Sequence, residues 1–455
     1  MATIRLRHSH HVAIMEHLFT TPGEHFAFIL ADWTFSMGEP VFLVRDVLLI
    51  PDDHAVCGRS GWELDPAIVI DAINSAARGK YALIEAHNHA VGPPRFSSID
   101  RAGLREFAPY VLDSLPGRPY AATVWAGSSI HGEWFLPDGR AGVVSSVTVV
   151  GSNLRQVVSR DDDHAVVTER FDRQLPWFTD DGQRTLGRIR LGLIGAGGTG
   201  SVMTQSLAYL GFKDYVIVDD DSATLTNLNR LVTATLTDIG TSKVILARRL
   251  VRSLHHDARV VTIERDVRSK EALDALKGVD LLVGCVDNDG ARLILNELAL
   301  AYDIPYIDLA VGIDARDGVL SDAGGRVVFV LPGGPCLHCM GEIDQREAYF
   351  FLATDEDRRI QIERGYVEGM DVKAPAVVSL NSALASIACN EIAMYVTNGR
   401  VVNLYTELDL LGRGRSMKGQ WVTPRYVQKF DGCVQGSTAG LADKTNIERY
   451  AIVRS

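Results

Sequence analysis

Residues 188–221 read RIRLGLIGAGGTGSVMTQSLAYLGFKDYVIVDDD. A short apolar run leads into a glycine turn, then a stretch with apolar residues at helical spacing, then a second apolar run. The order predicts strand, turn, helix, strand. Gly195, Gly197 and Gly200 fit G-x-G-x-x-G across the turn. Glycine lets the backbone come close to a phosphate, and the start of the following helix offers free N–H groups and the positive end of its dipole. Asp219 lies 19 residues past Gly200, at the end of the second strand. A carboxylate there accepts hydrogen bonds from ribose hydroxyls. Alone, these residues mean an adenine-containing nucleotide, and a nicotinamide or flavin enzyme is the default reading.

The residues that follow change it. VDDDSATLTNLNRL places Asn227 and Arg230 just after the acidic turn, and DIGTSK places Lys243 at a helix start. CVDNDGAR puts Asp287 at the end of another strand and Arg292 one turn further on. Hydride transfer has little use for an arginine, a lysine and an aspartate at the phosphate end. Splitting a triphosphate does: the cations neutralise charge building on the leaving pyrophosphate, and the aspartate holds magnesium. Each residue alone reads as a solvated surface charge; in this order they read as a set.

The series FDRQ, GAGGTGS, VDDD…NLNR, GTSK and DNDGAR resembles that of the ubiquitin-activating, ThiF/HesA/MoeB-type adenylyltransferases, over roughly residues 168–415. The resemblance implies a nucleotide site of Gly195, Gly197, Gly200, Asp219, Asp221, Asn227, Arg230, Lys243 and Asp287. Asp219 would bind the ATP ribose, Arg230 and Lys243 would contact phosphates, and Asp287 would organise Mg2+. Arg173 in FDRQ would act as an arginine finger for the neighbouring protomer of a homodimer. The family joins ATP to the C-terminal glycine of a ubiquitin-like or sulfur-carrier protein.

Two features depart from that pattern. Many members hold a structural zinc with two C-x-x-C pairs. Here CLHC supplies Cys336 and Cys339, but in DGCVQG Cys433 is followed three residues later by Gly436. Three thiolates do not close a tetrahedral site; either His338 or another residue completes it, or the zinc is lost. Members that form a thioester carry a cysteine between the zinc pair and the late helix, and none lies between Cys339 and Cys389. Cys389 and Cys285 read as core residues.

A second constellation lies upstream, in EAHNHAVGPPRFSSID, residues 85–100. A strand puts alternate side chains on one face, so His87 and His89 can reach one metal together. Asp100, opening a helix after the proline loop, can be a third ligand, which leaves zinc an open position as in a catalytic site. Ser97 can donate to an oxyanion. The general base would be Glu24, with Glu16 and Glu85 as other candidates. The arrangement H-x-H-x7-S-x-x-D with an upstream glutamate resembles the JAMM/MPN (JAB) metalloprotease motif, over residues 1 to about 150. Ala90 replaces a proline found in many members. The competing reading is a helix capped by Ser97 or Asp100 after a polar turn.

The chain has 455 residues, 46% hydrophobic and 23% charged, which suits a globular protein of two or three domains. The expected fold class is α/β: an N-terminal mixed α/β domain (1–150), a linker (151–167), a doubly wound Rossmann-like domain (168–415) and a C-terminal extension (416–455). Strands are predicted at HFAFILADW, VFLVRDVLLI, YALIEAHNH and YAATVWAG. A helix over PAIVIDAINSAARG stops on Gly79, and NSALASIACNEIAMYVTNG is a late amphipathic helix. A net charge of −11 argues against nucleic acid as the main partner. Six cysteines make no disulfide framework in a chain this long. The N-terminus does not read as a signal peptide, and no run reaches the ~18 apolar residues that span a membrane. A cytoplasmic location is expected.

The two resemblances share a substrate chemistry. One family cuts amide bonds after the terminal glycine of ubiquitin-like proteins, and the other activates the same carboxylate. The expectation is a fused enzyme using ATP, Mg2+ and Zn2+ on a glycine-terminated ubiquitin-like or sulfur-carrier protein, with a conjugating or sulfurtransferase protein downstream. Two alternatives stand beside it. One is adenylation of a small carboxylate or peptide, with an amidohydrolase-like metal domain. The other is a nucleotide-sensing module.

Overall fold

The computed structural model describes residues 2–58, 61–89, 92–127, 129–158, 169–316, 318–353, 356–359, 375–411, 433 and 439–451. Ala90, Gly436, most of the expected linker and most of the expected C-terminal extension lie outside them. The chain forms two compact units, residues 1–167 with 439–445, and residues 168–438 with 446–455. A short piece of the expected extension therefore folds with the first unit.

The first unit runs β1 (Ala2–Arg7), α1 (His8–Leu18), β2 (Phe26–Ser36), β3 (Glu39–Leu49), β4 (Ala55–Gly58), β5 (Gly61–Leu64), α2 (Pro66–Gly79), β6 (Ala82–Asn88), α3 (Ser98–Ser114), β7 (Tyr120–Ala126), β8 (Ser129–Phe135), β9 (Ala141–Val150) and β10 (Leu154–Val158). All but β4 and β5 close a barrel in the order β1-β3-β2-β6-β7-β8-β10-β9. Strand alternation sorts the side chains into two cores. Ala82, Ile84 and Ala86 of β6 point to one with Ile14 and Leu18 of α1. Leu83 points to the other, which α2 and α3 cover through Ala72, Ile73, Leu104 and Ala108. Glu85 and His87 share the parity of Leu83. Helix α2 ends at Gly79 as expected, but the left-handed cap is Lys80 at φ 55°.

The second unit runs α4 (Leu175–Arg188), β11 (Arg190–Ile194), α5 (Gly198–Leu210), β12 (Asp214–Val218), α6 (Lys243–Leu254), β13 (Arg259–Ile263), α7 (Lys270–Leu276), β14 (Leu281–Gly284), α8 (Asp289–Ala301), β15 (Tyr306–Arg316), β16 (Val319–Val330), α9 (Leu337–Met340), α10 (Gln345–Leu352), α11 (Val378–Thr397) and β17 (Tyr405–Asp409). Its sheet has the order β13-β12-β11-β14-β15-β16-β17. The first five strands are parallel and the last two antiparallel. Strand order reverses between β11 and β14, the place where a Rossmann-like sheet opens a crevice at its carboxyl edge. Helix α11 is not amphipathic throughout: Glu391 to Val396 are all buried. Its second half is enclosed on every side, so no polar face survives there.

No helix among the described residues is long and apolar enough to cross a membrane.

Candidate functional site

The glycine turn joins β11 to α5, and each glycine answers a different demand. Gly195 has φ +86°, and a Cβ there would lie 2.5 Å from the Cys285 carbonyl oxygen. The turn can therefore sit against the end of β14, two residues before Asp287. A Cβ on Gly200 would meet the Gly195 carbonyl oxygen at 1.8 Å. Gly197 has open space around its Cβ position, where a phosphate can approach.

Asp219 anchors the turn. Its Oδ2 accepts from Ala196 N at 2.6 Å and its Oδ1 from Asp221 N at 2.9 Å. Burial pushes its carboxyl above the ordinary range, against Lys243 and those two N–H groups. Lys243, the first residue of α6, places Nζ 2.6 Å from Asp221 Oδ2 and 3.9 Å from Asp219 Oδ1. Arg230 lies beside the start of α5: its Cδ would be 3.1 Å from a Cβ on Gly198. Its guanidinium donates to Thr226 O and Asn229 Oδ1. Asn227 accepts from Thr224 N at 3.2 Å and shapes the loop before Arg230. Asp287 is exposed just past β14.

Arg292 does not join this group. It is buried, donates to Asp289 Oδ1 at 2.5 Å and Val286 O at 2.9 Å, and lies 3.4 Å from Asp308. It balances buried carboxylates in the sheet edge instead of facing the turn. Arg173 is exposed, at the other end of α5. Its neighbour Gln174 donates to Tyr209 O at 3.0 Å, and Tyr209 is in the last turn of that 13-residue helix. The helix length puts roughly 18 Å between Tyr209 and the glycine turn.

In the first unit His87, His89 and Asp100 come together, each offering a ligand atom within 4.8 Å of the others. Asp100 Oδ2 lies 3.8 Å from His87 Nε2 and 3.3 Å from His89 Nε2. Both ring nitrogens of His87 are buried and make no hydrogen bond. Orphaned imidazole nitrogens facing a carboxylate fit a cation such as zinc. Asp100 also caps α3. Its Oδ2 accepts from Ser97 N, while Ser97 Oγ accepts from Asp100 N. The cap and the cluster therefore coexist, and the Ser97 hydroxyl proton stays available to donate. Burial raises the Asp100 carboxyl, but the facing His87 ring and Ser97 N hold it well below the ordinary range.

The three glutamate candidates separate. Glu16 is exposed on α1. Glu85 accepts from Tyr120 OH at 2.8 Å and lies 3.8 Å from His87 Nδ1, behind the ring. Glu24 is half-buried just before β2. Phe26 is the register partner of His87, so the chain before Phe26 runs beside the strand end that carries His89. Asn88 stitches it there, accepting from His25 N at 2.6 Å and donating to Gly23 O at 3.0 Å.

Cys336, Cys339 and Cys433 form a third cluster, with Sγ atoms 3.4–3.6 Å apart. A disulfide would be near 2.05 Å. Thiolates on one tetrahedral zinc would be about 3.8 Å apart, from Zn–S bonds of about 2.3 Å. The set fits a soft divalent cation. The neighbouring Cys433 thiol, with backbone and Asn296 contacts, pulls the Cys336 thiol down to about 5 despite burial. His338 is not the fourth member: it is outside the cluster, and its Nδ1 pairs with Gln345 Nε2 at 3.1 Å. Burial pushes the Cys389 thiol up to about 12, and it also raises Cys285. Neither is set up as a nucleophile.

Two contributors escaped the sequence reading. Asn381 at the start of α11 puts its amide against Gly198, 2.5 Å from the Cβ position there. An asparagine early in an apolar helix was the one signal. Asn88 was hidden as the middle residue of the H-x-H pair.

A model of the ThiF family matches residues 171–418. The SAMP-activating enzyme E1 of Haloferax volcanii is 32% identical over 35% of this chain and 56% of its own length. The sulfur carrier protein adenylyltransferase of Thermus thermophilus is 30% identical over 38% of this chain and 63% of its own. The sulfur carrier protein ThiS adenylyltransferase of Bacillus subtilis is 29% identical over 38% and 51%. The chain thus spans about half the length of the curated relatives it matches.

Proposed function

The chain belongs to the ThiF family, and on that premise we propose that it adenylates the C-terminal carboxylate of a small carrier protein and, with its first unit, hydrolyses an amide bond at the same terminus. The observation that carries the first half is the grouping at one glycine turn. Lys243 lies beside Asp219, Arg230 lies against Gly198, and Gly195 seats the turn two residues from Asp287. The relatives' names support a ubiquitin-like or sulfur-carrier protein as substrate.

The chemistry divides among named residues. A carboxylate oxygen attacks the α-phosphorus of ATP, and the bond to the β-phosphate breaks, so pyrophosphate leaves with the electron pair. Arg230 and Lys243 neutralise that charge. Asp287 would hold magnesium, which screens the phosphate oxygens. Asp219 receives the ribose. Arg173, held away from its own turn, serves the turn of a second copy in a homodimer. Cys389 is buried and Cys285 half-buried, both with raised pKa values, so a separate conjugating or sulfurtransferase protein takes the acyl group.

In the first unit His87, His89 and Asp100 would hold zinc, which supplies Lewis acidity towards an amide carbonyl and water. Glu24 takes a proton from the attacking water and passes it to the leaving amine. Ser97 donates to the developing oxyanion. This is the work of a JAMM/MPN-like peptidase, and it exposes the glycine that the second unit then activates.

The test uses a carrier protein with a few residues beyond its terminal glycine, followed by intact mass spectrometry. Zinc-dependent loss of those residues, then ATP-dependent gain of an adenylyl group, is the expected sequence. Failure to adenylate the already trimmed carrier would sink the first half. Failure to trim, with adenylation intact, would sink only the second.

A further inference from the structure

Glu85 has no part in the proposed chemistry, and its surroundings in the first unit give it one. It stands two residues before His87 on β6, so the two side chains share a strand face. On that face Leu83 is fully buried beneath α2 and α3. A carboxylate in such a place is costly unless its oxygens are used.

The two oxygens of Glu85 face different rings. Oε2 accepts from the Tyr120 hydroxyl at 2.8 Å, and Oε1 lies 3.8 Å from His87 Nδ1. Tyr120 is itself fixed. It is fully buried on β7, opposite Leu83. Its ring is edge-on to Phe107 of α3 and stacked on Phe135 of β8, with centroids 5.9 and 6.0 Å away. Burial and the neighbouring Glu85 keep the phenol proton on, so Tyr120 is a donor. The main-chain carbonyl of Glu85 accepts from Thr123 Oγ1 at 2.9 Å. One oxygen and the backbone are thus tied to β7, and the other oxygen is turned to His87.

His87 has a use for that oxygen. Its ring is buried between Phe26 and Phe96, with centroids at 5.6 and 6.2 Å, and neither nitrogen makes a hydrogen bond. Nε2 is the nitrogen on the Asp100 side, 3.8 Å from Oδ2. A neutral imidazole has one lone pair to offer a cation and one N–H. With the lone pair at Nε2, the hydrogen is at Nδ1, where Glu85 stands. Roughly 1 Å of side-chain movement makes that contact a hydrogen bond.

We propose that Glu85 and Tyr120 are positioning residues for His87: Tyr120 aims the carboxylate, and Glu85 takes the Nδ1 hydrogen, so that Nε2 presents its lone pair to a divalent cation shared with His89 and Asp100. The inference rests on the reading of those three residues as a metal site. It also withdraws Glu85 from the candidates for general base, because both of its oxygens are committed.

The test is calorimetric zinc titration of the full chain, with melting curves of the zinc-stripped proteins alongside. The binding component that His89→Ala abolishes belongs to this site, which sets aside any zinc on the cysteines. Glu85→Leu should weaken that component about 10–100-fold. Glu85→Gln still accepts from Nδ1 and should recover most of the loss. Tyr120→Phe keeps the ring packing but releases the carboxylate, and should weaken binding about three- to tenfold. The double variant Glu85→Leu, Tyr120→Phe leaves no unpaired hydroxyl. If the pair served packing alone, it would bind zinc like wild type; the positioning role predicts binding as weak as in Glu85→Leu. Wild-type affinity in Glu85→Leu or in the double variant would overturn the role alone. A wild type with no component sensitive to His89→Ala would sink the metal reading, and the role with it.

Discussion

Lys243 Nζ sits 2.6 Å from Asp221 Oδ2 and 3.9 Å from Asp219 Oδ1, at the first turn of α6. One ammonium is thus held beside the carboxylate that anchors the glycine turn. Lys243→Met keeps the stem's packing and removes the charge. It should lower adenylation by about a hundredfold or more, and it should also lower the melting temperature, because the largely buried Asp219 loses its facing cation. ATP–pyrophosphate exchange measured beside a melting curve checks both parts.

Gly195 tests the turn itself. At φ +86° an alanine is strained, and its Cβ would press on the Cys285 carbonyl. Gly195→Ala should cost about 1–3 kcal/mol, read by urea unfolding of the second unit. A variant as stable as the parent would mean that the turn has another conformation.

Arg230 and Arg292 should part company. Arg292 balances buried Asp289 and Asp308, so Arg292→Met leaves carboxylates uncompensated and should cost about 3–5 kcal/mol. Arg230→Met should change stability by no more than about 0.5 kcal/mol and show its loss in adenylation. Equal destabilisation by both would remove the distinction drawn between them.

Asp100 serves as cap and as candidate ligand, and substitution separates the roles. Asp100→Asn still accepts from Ser97 N, so the metal-free protein should lose less than about 1 kcal/mol. Its zinc affinity should fall steeply. Ser97→Ala should cost about 1 kcal/mol and spare zinc binding. Calorimetric zinc titration of the two variants decides; unchanged affinity in Asp100→Asn would make Asp100 a cap only.

His11 sets a pH window for the barrel. Burial, with Arg155 and His8 nearby, lowers its pKa from 6.5 to about 4. Its folded pKa is depressed, so its contribution to stability is full above pH 6.5. It is lost as pH falls through about 4, because the unfolded chain takes up the proton first. His11→Leu should flatten that part of the stability profile. A profile identical to wild type would show that His11 titrates normally.

The parts legible in the sequence are the local ones. Strand, turn and helix around Gly195 follow from apolar runs and glycine spacing within 34 consecutive residues. The H-x-H spacing pointed to His87, in β6, and His89, one residue past its end, as partners in one site for the same reason. What was illegible depends on distant partners. Asn381 reaches Gly198 across 183 positions, and Asp32 meets Lys444 from the opposite end of the chain. Arg292 looked like a phosphate ligand because its neighbour Asp308 is brought in only by the pairing of β14 with β15. The polar face expected for α11 vanished because other elements enclose its second half, and a helix cannot announce its neighbours.

The most direct measurement is ATP–pyrophosphate exchange by the purified chain, supplied in turn with each glycine-terminated ubiquitin-like protein of its own genome, with Asp287→Ala in parallel. Exchange that depends on one such carrier and disappears in Asp287→Ala, while ATP still binds, is the predicted result. No exchange with any of them, or exchange that survives Asp287→Ala, would contradict the adenylation site drawn around Gly195, Arg230, Lys243 and Asp287.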